Sequence, residues 1–315
     1  MPNNTIDWGQ GAANNSIGWG SGAVNNNLNW GKIHAESYGH DETNLTGVAT
    51  FFNDEGTPSV GYSLINLGGS DLNAIRTRRG ADSAERDDTS QTIADGSFLT
   101  WVQEPNPVGG AAIRTFYNIG SESSSDLGQT SAATQPLIVQ SGVLETIGSD
   151  PAINFSSSFT CLFNTGGFSF MGYANTFSVD IDFETASDVS TRNMILAQRN
   201  NANDRFGLTI FAGRLYVEGF NGSYTGDYYN ISASTRYKLT IVWSNGSNTV
   251  YLNGSALTPD GGSAGLLGSV ASDEFVIGND RSAGSSNPFL GKLNTCLVYS
   301  ESKDGTHNTA FTNAY

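Results

Sequence analysis

Residues 177–184 read Phe-Ser-Val-Asp-Ile-Asp-Phe-Glu, a run that alternates strictly between apolar and polar side chains. Successive side chains of a β-strand point to opposite faces, so this pattern predicts a strand with one apolar face. A second alternating run occupies 237–243, and the apolar residues 249–252 are followed by Asn253-Gly254, a pair typical of tight hairpins. These runs predict antiparallel β-structure.

Shorter runs of the same kind lie upstream, between turn signals rich in Gly, Asn, Asp and Ser. One helix is predicted at 97–103, with Asp95 near its start, and no second helix is expected. The predicted fold class is therefore all-β, a sandwich or jelly roll. The upstream strands are predicted at 48–52, 60–67, 74–78, 112–117 and 136–139.

The composition agrees with a turn-rich β-protein: 315 residues with 38 Gly, 37% hydrophobic and 14% charged residues. The 15 basic and 30 acidic residues give a net charge of -15, which argues against nucleic acid and anionic membranes as partners. The N-terminus has neither a basic start nor an apolar core, so we expect no secretory signal, and no segment long enough for membrane insertion occurs. For Cys161 and Cys296 we expect buried free thiols, with pairing between them left open.

The first 31 residues hold three copies of an eleven-residue unit with the pattern Asn-Asn-x-(Ile/Leu)-x-Trp-Gly. In each copy the aliphatic residue and the tryptophan share one face of a short extended segment. One such chain cannot cover these faces itself, so contact with other chains is predicted, in a trimerising stalk or a tether on a larger shell. The alternative is a low-complexity Asn/Gly linker. The predicted assembly residues are Ile6, Trp8, Ile17, Trp19, Leu28 and Trp30.

Several segments between about 177 and 300 follow one another at characteristic spacings. They include Phe206-Gly207-Leu208, Gly213-Arg214-Leu215-Tyr216, Phe275-Val276-Ile277-Gly278-Asn279 and Phe289-Leu290-Gly291-Lys292-Leu293. Together with the two alternating runs, their order resembles the laminin-G-like and concanavalin-A-like jelly rolls. This resemblance covers over a third of the chain and implies a jelly-roll sandwich behind an extended N-terminal stalk or tether.

Upstream, Gly61-Tyr62-Ser63-Leu64, 74–79 and 133–139 resemble the arabinofuranosidase-B-like sandwich domain that is often found on phage structural proteins. The family's Trp-Tyr-Asp-Gln-Ser-Gly-Asn-Gly signature is replaced here by the residues of 116–121. No position matches the family's catalytic acids, so the resemblance carries no activity over, and the chain is predicted not to be an enzyme. The predicted domains are 1–36 for attachment, 37–46 as a linker, 47–155 and 156–315, the last two as separate domains or one sandwich.

The N-terminal repeats resemble segments that begin head or tail fibre proteins of tailed bacteriophages. This resemblance implies a virion structural protein made in the host bacterial cytoplasm and displayed on the virion surface. Its implied partners are other copies in a homotrimer, phage capsid or tail proteins at the N-terminus, and a host-surface glycan bound through multivalent adhesion. Two alternatives stay open: a polysaccharide-degrading glycoside hydrolase and a ligand-free capsid cement protein.

Asp180, Asp182 and Glu184 form a D-x-D-x-E row that resembles the catalytic run of concanavalin-like glucanases. The hydrolase alternative would use Asp180 and Glu184, although retaining chemistry needs the two carboxyl groups within about 5.5 Å. The competing interpretation is the solvated outer face of an amphipathic strand, and we favour it.

A cluster of aromatic and polar side chains is the candidate glycan site, because sugars bind through stacking on aromatic rings and hydrogen bonds to hydroxyl groups. Packing or trimer contacts are the alternative for the same aromatic residues. The candidate residues are Tyr216, Phe220, Asn221, Tyr224, Asp227 and Tyr228.

No cofactor is expected apart from calcium, for which Asp273, Asn279 and Asp280 are weak oxygen-ligand candidates at the sandwich rim. Ordinary turn carboxylates are the favoured interpretation. The basic cluster of Arg76, Arg78, Arg79 and Arg86 is expected to pair with Asp82, Glu85, Asp87 and Asp88 rather than with a phosphate.

Overall fold

The computed structural model describes residues 51–68, 72–155, 160–172, 175–201, 204–221, 224–244, 246–263, 274–281 and 287–314, and at 200, 201, 204, 220, 221, 224, 225 and 263 it describes no side chain. The predicted assembly residues, Ile6, Trp8, Ile17, Trp19, Leu28 and Trp30, lie outside this part of the chain. Residues 47 to 315 group into one compact unit.

Strands dominate the described residues. They are β1 Val60–Ser63, β2 Asn73–Arg79, β3 Glu85–Thr89, β4 Ala111–Phe116, β5 Leu127–Gly128, β6 Leu137–Gln140, β7 Val143–Leu144, β8 Thr146–Ile147, β9 Asp150–Pro151, β10 Ile153–Asn154, β11 Leu162–Asn164, β12 Thr176–Glu184, β13 Asn193–Asn201, β14 Asp204–Phe211, β15 Arg214–Asn221, β16 Tyr224–Asn230, β17 Arg236–Ser244, β18 Ser247–Leu252, β19 Ser255–Ala256, β20 Gly261–Ser263, β21 Glu274–Ile277 and β22 Lys292–Tyr299. The helices are α1 Ser90–Ala94, α2 Ser97–Gln103 and α3 Gly305–Asn313, residues 51–55 are helical, and 3-10 turns occur at Ala132–Thr134 and Ser169–Met171.

The first layer of the fold is centred on β22. This strand pairs with β1, β10 and β12, and β12 continues the sheet through β17, β18 and β19. On the other side, β10 connects through β6 and β4 to β2 and β3. All of these pairings are antiparallel, so strands from the upstream and downstream halves of the chain share one sheet.

The second layer runs in the order β5, β11, β21, β13, β14, β15, β16 and β20. A short pairing between β4 and β5 joins it to the first layer. The boundary predicted near 155 falls between β10, in the first layer, and β11, in the second. The arrangement is a predominantly antiparallel β-sandwich.

The apolar face of β12 lies in the core between the two layers. The rings of Phe177 on β12 and Phe206 on β14 are 5.1 Å apart, and Phe206 is 5.7 Å from Trp243 on β17. All three side chains are 0% exposed. Full burial of an aromatic or aliphatic side chain contributes about 1.5–3 kcal/mol, so these contacts hold the layers together.

The hairpin predicted at Asn253-Gly254 is confirmed, because Leu252 pairs with Ser255 and both turn residues have positive φ, 52° and 78°. The helix predicted at 97–103 is also confirmed. The prediction of a strand at 48–52 is wrong for its described end, since residues 51–55 are helical. The expectation of a single helix is wrong as well, since α1 and α3 are present. Among the described residues, no helix has the length and apolar character needed to cross a membrane.

Candidate functional site

The D-x-D-x-E row lies on the face of β12 opposite the core. Asp180 and Asp182 are 0% exposed, and Glu184 is half-buried at the end of the strand. The prediction of a solvated outer face is therefore wrong for the first two carboxylates. The reason is α3, which packs over this face: Asn308 on α3 donates to Thr240 on β17 at 3.1 Å.

Both buried carboxylates are held by distant parts of the chain. Asp180 accepts a hydrogen bond from the Thr240 hydroxyl at 2.6 Å, and its second oxygen lies 2.7 Å from His307 Nε2. Asp182 is held by Arg236, with Nε–Oδ1 at 2.8 Å and Nη2–Oδ2 at 2.5 Å. Burial raises the pKa of Asp182, although Arg236 acts in the opposite direction. These enclosed carboxylates support the fold, and the geometry gives no support to Asp180 as a nucleophile.

A different set of side chains shares the face of the second layer that points away from the core. The register places Thr209 opposite Tyr216 and Tyr216 opposite Tyr228, so these three lie on the same face. Side chains two residues apart on a strand share a face, which adds Arg205 and Glu218. We call Arg205, Thr209, Tyr216, Glu218 and Tyr228 the polar face.

Glu218 occupies the middle of the polar face between two glycines. Gly207 on β14 and Gly226 on β16 are its cross-strand neighbours. No side chain therefore flanks Glu218 along the direction of pairing. Glu218 and Arg205 are nevertheless only 5% and 7% exposed.

An ion network crosses the polar face. Arg192 Nη2 donates to both carboxylate oxygens of Glu218, at 2.9 and 2.8 Å. Arg205 lies 3.7 Å from Glu218 Oε2 through Nη2 and 3.7 Å from Asp280 Oδ2 through Nη1. Alongside, Arg199 is 3.8 Å from Glu274. The Arg205 guanidinium thus lies between the carboxylates of Glu218 and Asp280.

Burial and charge act against each other at Glu218. Burial raises the pKa of the Glu218 carboxyl group above its ordinary value, whereas Arg192 and Arg205 act in the opposite direction. At Asp280, Oδ2 accepts a hydrogen bond from Asn287 Nδ2 at 3.3 Å. The other oxygen, Oδ1, is buried and has no hydrogen-bond partner among the described residues. Most buried polar atoms are hydrogen-bonded, so this oxygen is an exception.

The predicted glycan site is divided by the structure. Tyr216 and Tyr228 are half-buried on the polar face with ring centroids 5.4 Å apart, and the guanidinium of Arg214 lies 4.3 Å above the Tyr228 ring. Asp227 lies on the opposite face of β16, where Asn248 donates to it at 3.0 Å. Asp227 is therefore separated from the two tyrosines. The side chains of Phe220, Asn221 and Tyr224 lie outside the described part of the structure.

The structure does not bring the three calcium candidates together as one set of ligands among the described residues. Asp273 lies outside the described residues, Asn279 accepts a hydrogen bond from the backbone amide of Asp280 at 2.9 Å, and Asp280 faces Arg205. In the part of the chain that the structure describes, no group of three or more His, Cys, Asp and Glu side chains could hold a metal ion. Calcium at this rim stays a prediction.

Three of the four arginines in the basic cluster pair with carboxylates as predicted, and Arg78 forms no ion pair among the described residues. Glu85, which the register places opposite Arg78, instead binds Arg114 of β4. The pairs that form are Arg76 with Asp87 at 2.7 Å, Arg79 with Asp82 at 2.6 Å, and Arg86 with Asp88.

Arg192, Arg205 and Glu218 are the residues that sequence reasoning missed. A signal exists for Arg205, because Arg205, Gly207 and Thr209 alternate with Phe206, Leu208 and Ile210, all of which are buried in the core. This period of two predicts a strand with a polar face. Arg192 precedes its strand, and no local pattern connects it to Glu218.

The fold is a β-sandwich, and solved structures with a similar fold include glycoside hydrolases. One similar solved structure is a GH54 α-L-arabinofuranosidase soaked with a cyclic sulfate inhibitor, with 10% identity, a TM-score of 0.59 and coverage of 85% of this chain. An arabinofuranosidase complexed with arabinofuranosyl-α-1,2-xylobiose is 11% identical over the same share, also with a TM-score of 0.59. This chain spans 64% of the length of each. Neither a family model nor a curated protein matches the sequence.

At this level of identity the likeness shows the fold alone. Because it covers 85% of the chain, it includes residues from both the upstream and the downstream half. The prediction that the chain is not an enzyme is contradicted, because solved proteins that share this fold are glycoside hydrolases.

Proposed function

We propose that the chain binds carbohydrate at the polar face of the second layer. The observation that carries this proposal is the joint placement of aromatic rings and a buried charge network on one sheet face. Tyr216 and Tyr228 offer rings for stacking on sugar C–H faces, and the adjacent Arg205 and Glu218 offer fixed groups for hydroxyls. The likeness of the fold to arabinofuranosidases agrees with this choice of ligand.

In this proposal the sandwich belongs to a bacteriophage virion, as a head or tail fibre or capsid decoration subunit. The support is the set of tryptophan repeats in the first 31 residues, which resemble the beginnings of such fibres. The repeats would attach the chain to capsid or tail proteins and to two further copies. The sandwich would then present glycan sites on the virion surface, where weak sites add through effective concentration.

The test is a glycan array of bacterial surface polysaccharides, followed by titration of each hit against the full chain. Tyr216→Ala should weaken binding by about tenfold, because a ring on a binding surface contributes on the order of 1–1.5 kcal/mol. Tyr251→Ala is the matched control, since Tyr251 is a half-buried tyrosine on β18 in the first layer. Equal loss in both variants, or no hit on the array, would contradict the proposal.

A second candidate function is hydrolysis of the bound glycan by Glu218 and Asp280. Both carboxylates contact Arg205 at 3.7 Å, which limits the separation of the contacting oxygens to about 10 Å, a limit compatible with the ~5–9.5 Å of known carboxyl pairs. Glu218, whose pKa burial raises, would protonate the leaving oxygen, and Asp280 would activate water or attack the sugar.

Release of reducing ends from array hits tests this second candidate. Asp280→Asn should remove turnover and leave glycan binding in place, because a carboxyl group that acts only in the chemical step contributes little to ground-state affinity. Glu184→Gln and the exposed Asp54→Asn serve as controls and should retain turnover. Turnover in Asp280→Asn, or its loss in Glu184→Gln, would assign the chemistry elsewhere.

A further inference from the structure

A groove on the outer side of the upstream strands holds an arginine, Arg78, that forms no ion pair among the described residues. The groove has a volume of about 340 Å³ and lies beside β2, β4 and β6. Arg78 and Ala112 are paired across β2 and β4, and Ala112 and Leu137 across β4 and β6, so these side chains form one row. The lining residues are Arg78, Arg79, Gly80, Ser83, Gly110, Ala111, Ala112, Ala132, Gln135 and Leu137.

Arg78 is half-buried in this groove, and its guanidinium makes no ion pair or side-chain hydrogen bond among the described residues. Its cross-strand neighbour Glu85 forms an ion pair with Arg114, and the nearby Arg79 forms an ion pair with Asp82. An unpaired arginine is unexpected in a chain with 30 acidic and 15 basic residues. Its five N–H donors match a carboxylate or phosphate in a planar, two-point contact.

Two further polar groups of the groove have no hydrogen-bond partner among the described residues. Ser83 is held at a φ of 61° in the turn after β2, and its hydroxyl has no hydrogen-bond partner among the described residues. Gln135 is 4% exposed; its Nε2 donates to the Gln129 carbonyl at 2.7 Å, and its buried Oε1 has no partner in the described chain. A buried acceptor without a hydrogen bond costs about 1–3 kcal/mol, which favours a ligand that brings a donor.

The small side chains around Arg78 leave room for a ligand rather than for packing. The groove volume lies at the lower end of the ~300–1,000 Å³ of small-molecule sites. A group that suits the groove combines one anionic group, for Arg78, with hydroxyls for Ser83 and Gln135. A saccharide that carries a carboxylate has this combination.

We propose that the groove is a second saccharide site, separate from the polar face, which binds a carboxylate-bearing sugar through Arg78. The inference rests on the proposed function only for the choice of a saccharide as ligand. The anion preference follows from Arg78 itself. Recognition of acidic surface polysaccharide would give the chain two contacts with one glycan, which raises its affinity through effective concentration.

Calorimetric titration of the full chain with short oligogalacturonates, and with neutral galactosides of the same length, tests this assignment. The acidic oligosaccharide should bind and the neutral one should bind at least about tenfold more weakly, the range of one charge-assisted contact. Arg78→Gln should weaken acidic binding by a similar factor and Ser83→Ala by less. The matched control is Arg76→Gln, which removes a positive charge from the same strand face but one already paired with Asp87.

Four results would overturn the inference. The first is equal affinity for acidic and neutral oligosaccharides, and the second is equal loss of affinity in Arg78→Gln and Arg76→Gln. The third is binding of inorganic phosphate as tight as that of the uronate, which would make the groove a general anion site. Acidic binding that is insensitive to Arg78 but lost in Tyr216→Ala would leave the proposed function standing and remove the groove.

Discussion

His307 Nε2 lies 2.7 Å from Asp180 Oδ2, and this contact connects helix α3 to strand β12 of the first layer. Both side chains are buried, at 3% and 0% exposure. The other ring nitrogen, Nδ1, lies 2.7 Å from Glu55 Oε2. One imidazole therefore connects α3, β12 and the helical residues 51–55, and encloses the carboxylate that the sequence offers as a nucleophile.

Replacement of His307 should destabilise the fold. His307→Ala leaves the buried Asp180 without its charged partner, and loss of one member of a buried pair costs about 3–5 kcal/mol. Denaturant unfolding measures the change. Thr306→Ala, at an exposed neighbouring position on the same helix, should change the free energy of unfolding by less than about 0.5 kcal/mol. Equal effects of the two substitutions would refute a stabilising role for His307.

The same contact predicts a pH dependence. Burial lowers the pKa of His307, but the hydrogen bond and charge of Asp180 and the hydrogen bond of Glu55 outweigh burial and the opposing charge of Lys303, so the net pKa is raised. A raised pKa stabilises the folded state fully below the unfolded value of about 6.5, and this contribution is lost as pH rises through the folded pKa. The difference in unfolding free energy between the parent chain and His307→Ala should therefore shrink as the pH rises above about 6.5. A constant difference across that range would contradict the prediction.

Two hairpin glycines allow the cost of backbone strain to be compared with the cost of a steric clash. Gly213 and Gly254 have φ of 74° and 78° in two-residue turns, but a Cβ at Gly213 meets nothing within 4 Å, while one at Gly254 meets Thr309 and the Gly305 carbonyl oxygen. Gly213→Ala should cost about 1 kcal/mol of stability from the positive φ alone. Gly254→Ala should cost clearly more in the same unfolding assay. Equal costs would show that α3 does not press on the turn.

The two cysteines should be unreactive in the folded chain. Both are buried free thiols; burial raises the pKa of Cys161 to about 11 and raises the pKa of Cys296 also. The thiolate is the reactive form, and at pH 8 a pKa near 11 leaves about one part in a thousand ionised. Titration with a disulfide reagent should detect neither thiol quickly in the native state and both in denaturant. Rapid native reaction, or absence of thiols in denaturant, would contradict this.

The repeat segment should be separable from the sandwich. Removal of residues 1–31 leaves the compact unit from 47 to 315 intact, so thermal unfolding should change little. If the tryptophan faces are covered by other chains, sedimentation should give a trimer for the full chain and a monomer for the shortened one. A shortened chain that stays trimeric, or that stays on the virion, would assign assembly to another surface.

Local patterns predicted much of the fold because side chains two residues apart on a β-strand share a face, which leaves an alternating pattern in the sequence. The alternation of 177–184 correctly predicted strand β12, and Asn253-Gly254 correctly predicted the hairpin between β18 and β19. Each of these features depends on neighbouring residues only. Helix α3 was missed because Gly-Thr-His-Asn-Thr-Ala-Phe-Thr-Asn contains weak helix formers and is stabilised by packing against β17 and a cap from Asp304.

The site was harder to predict than the fold. Tyr216 and Tyr228 were identified from composition, but the position of Glu218 between Gly207 and Gly226 depends on the register of β15 against β14 and β16. The carboxylates of Asp180 and Asp182 were assigned to solvent because a sequence pattern shows alternation without showing what covers each face. Glu85 was expected to pair with the basic cluster of Arg76, Arg78, Arg79 and Arg86, but in the structure it binds Arg114.

A crystal structure of the full chain with a glycan identified on the array would locate the bound sugar. We expect sugar density on the polar face, with a ring against Tyr216 or Tyr228 and hydroxyls within hydrogen-bond distance of Arg205 or Glu218. Density confined to other surfaces, with the polar face free of sugar at saturating glycan, would contradict this expectation.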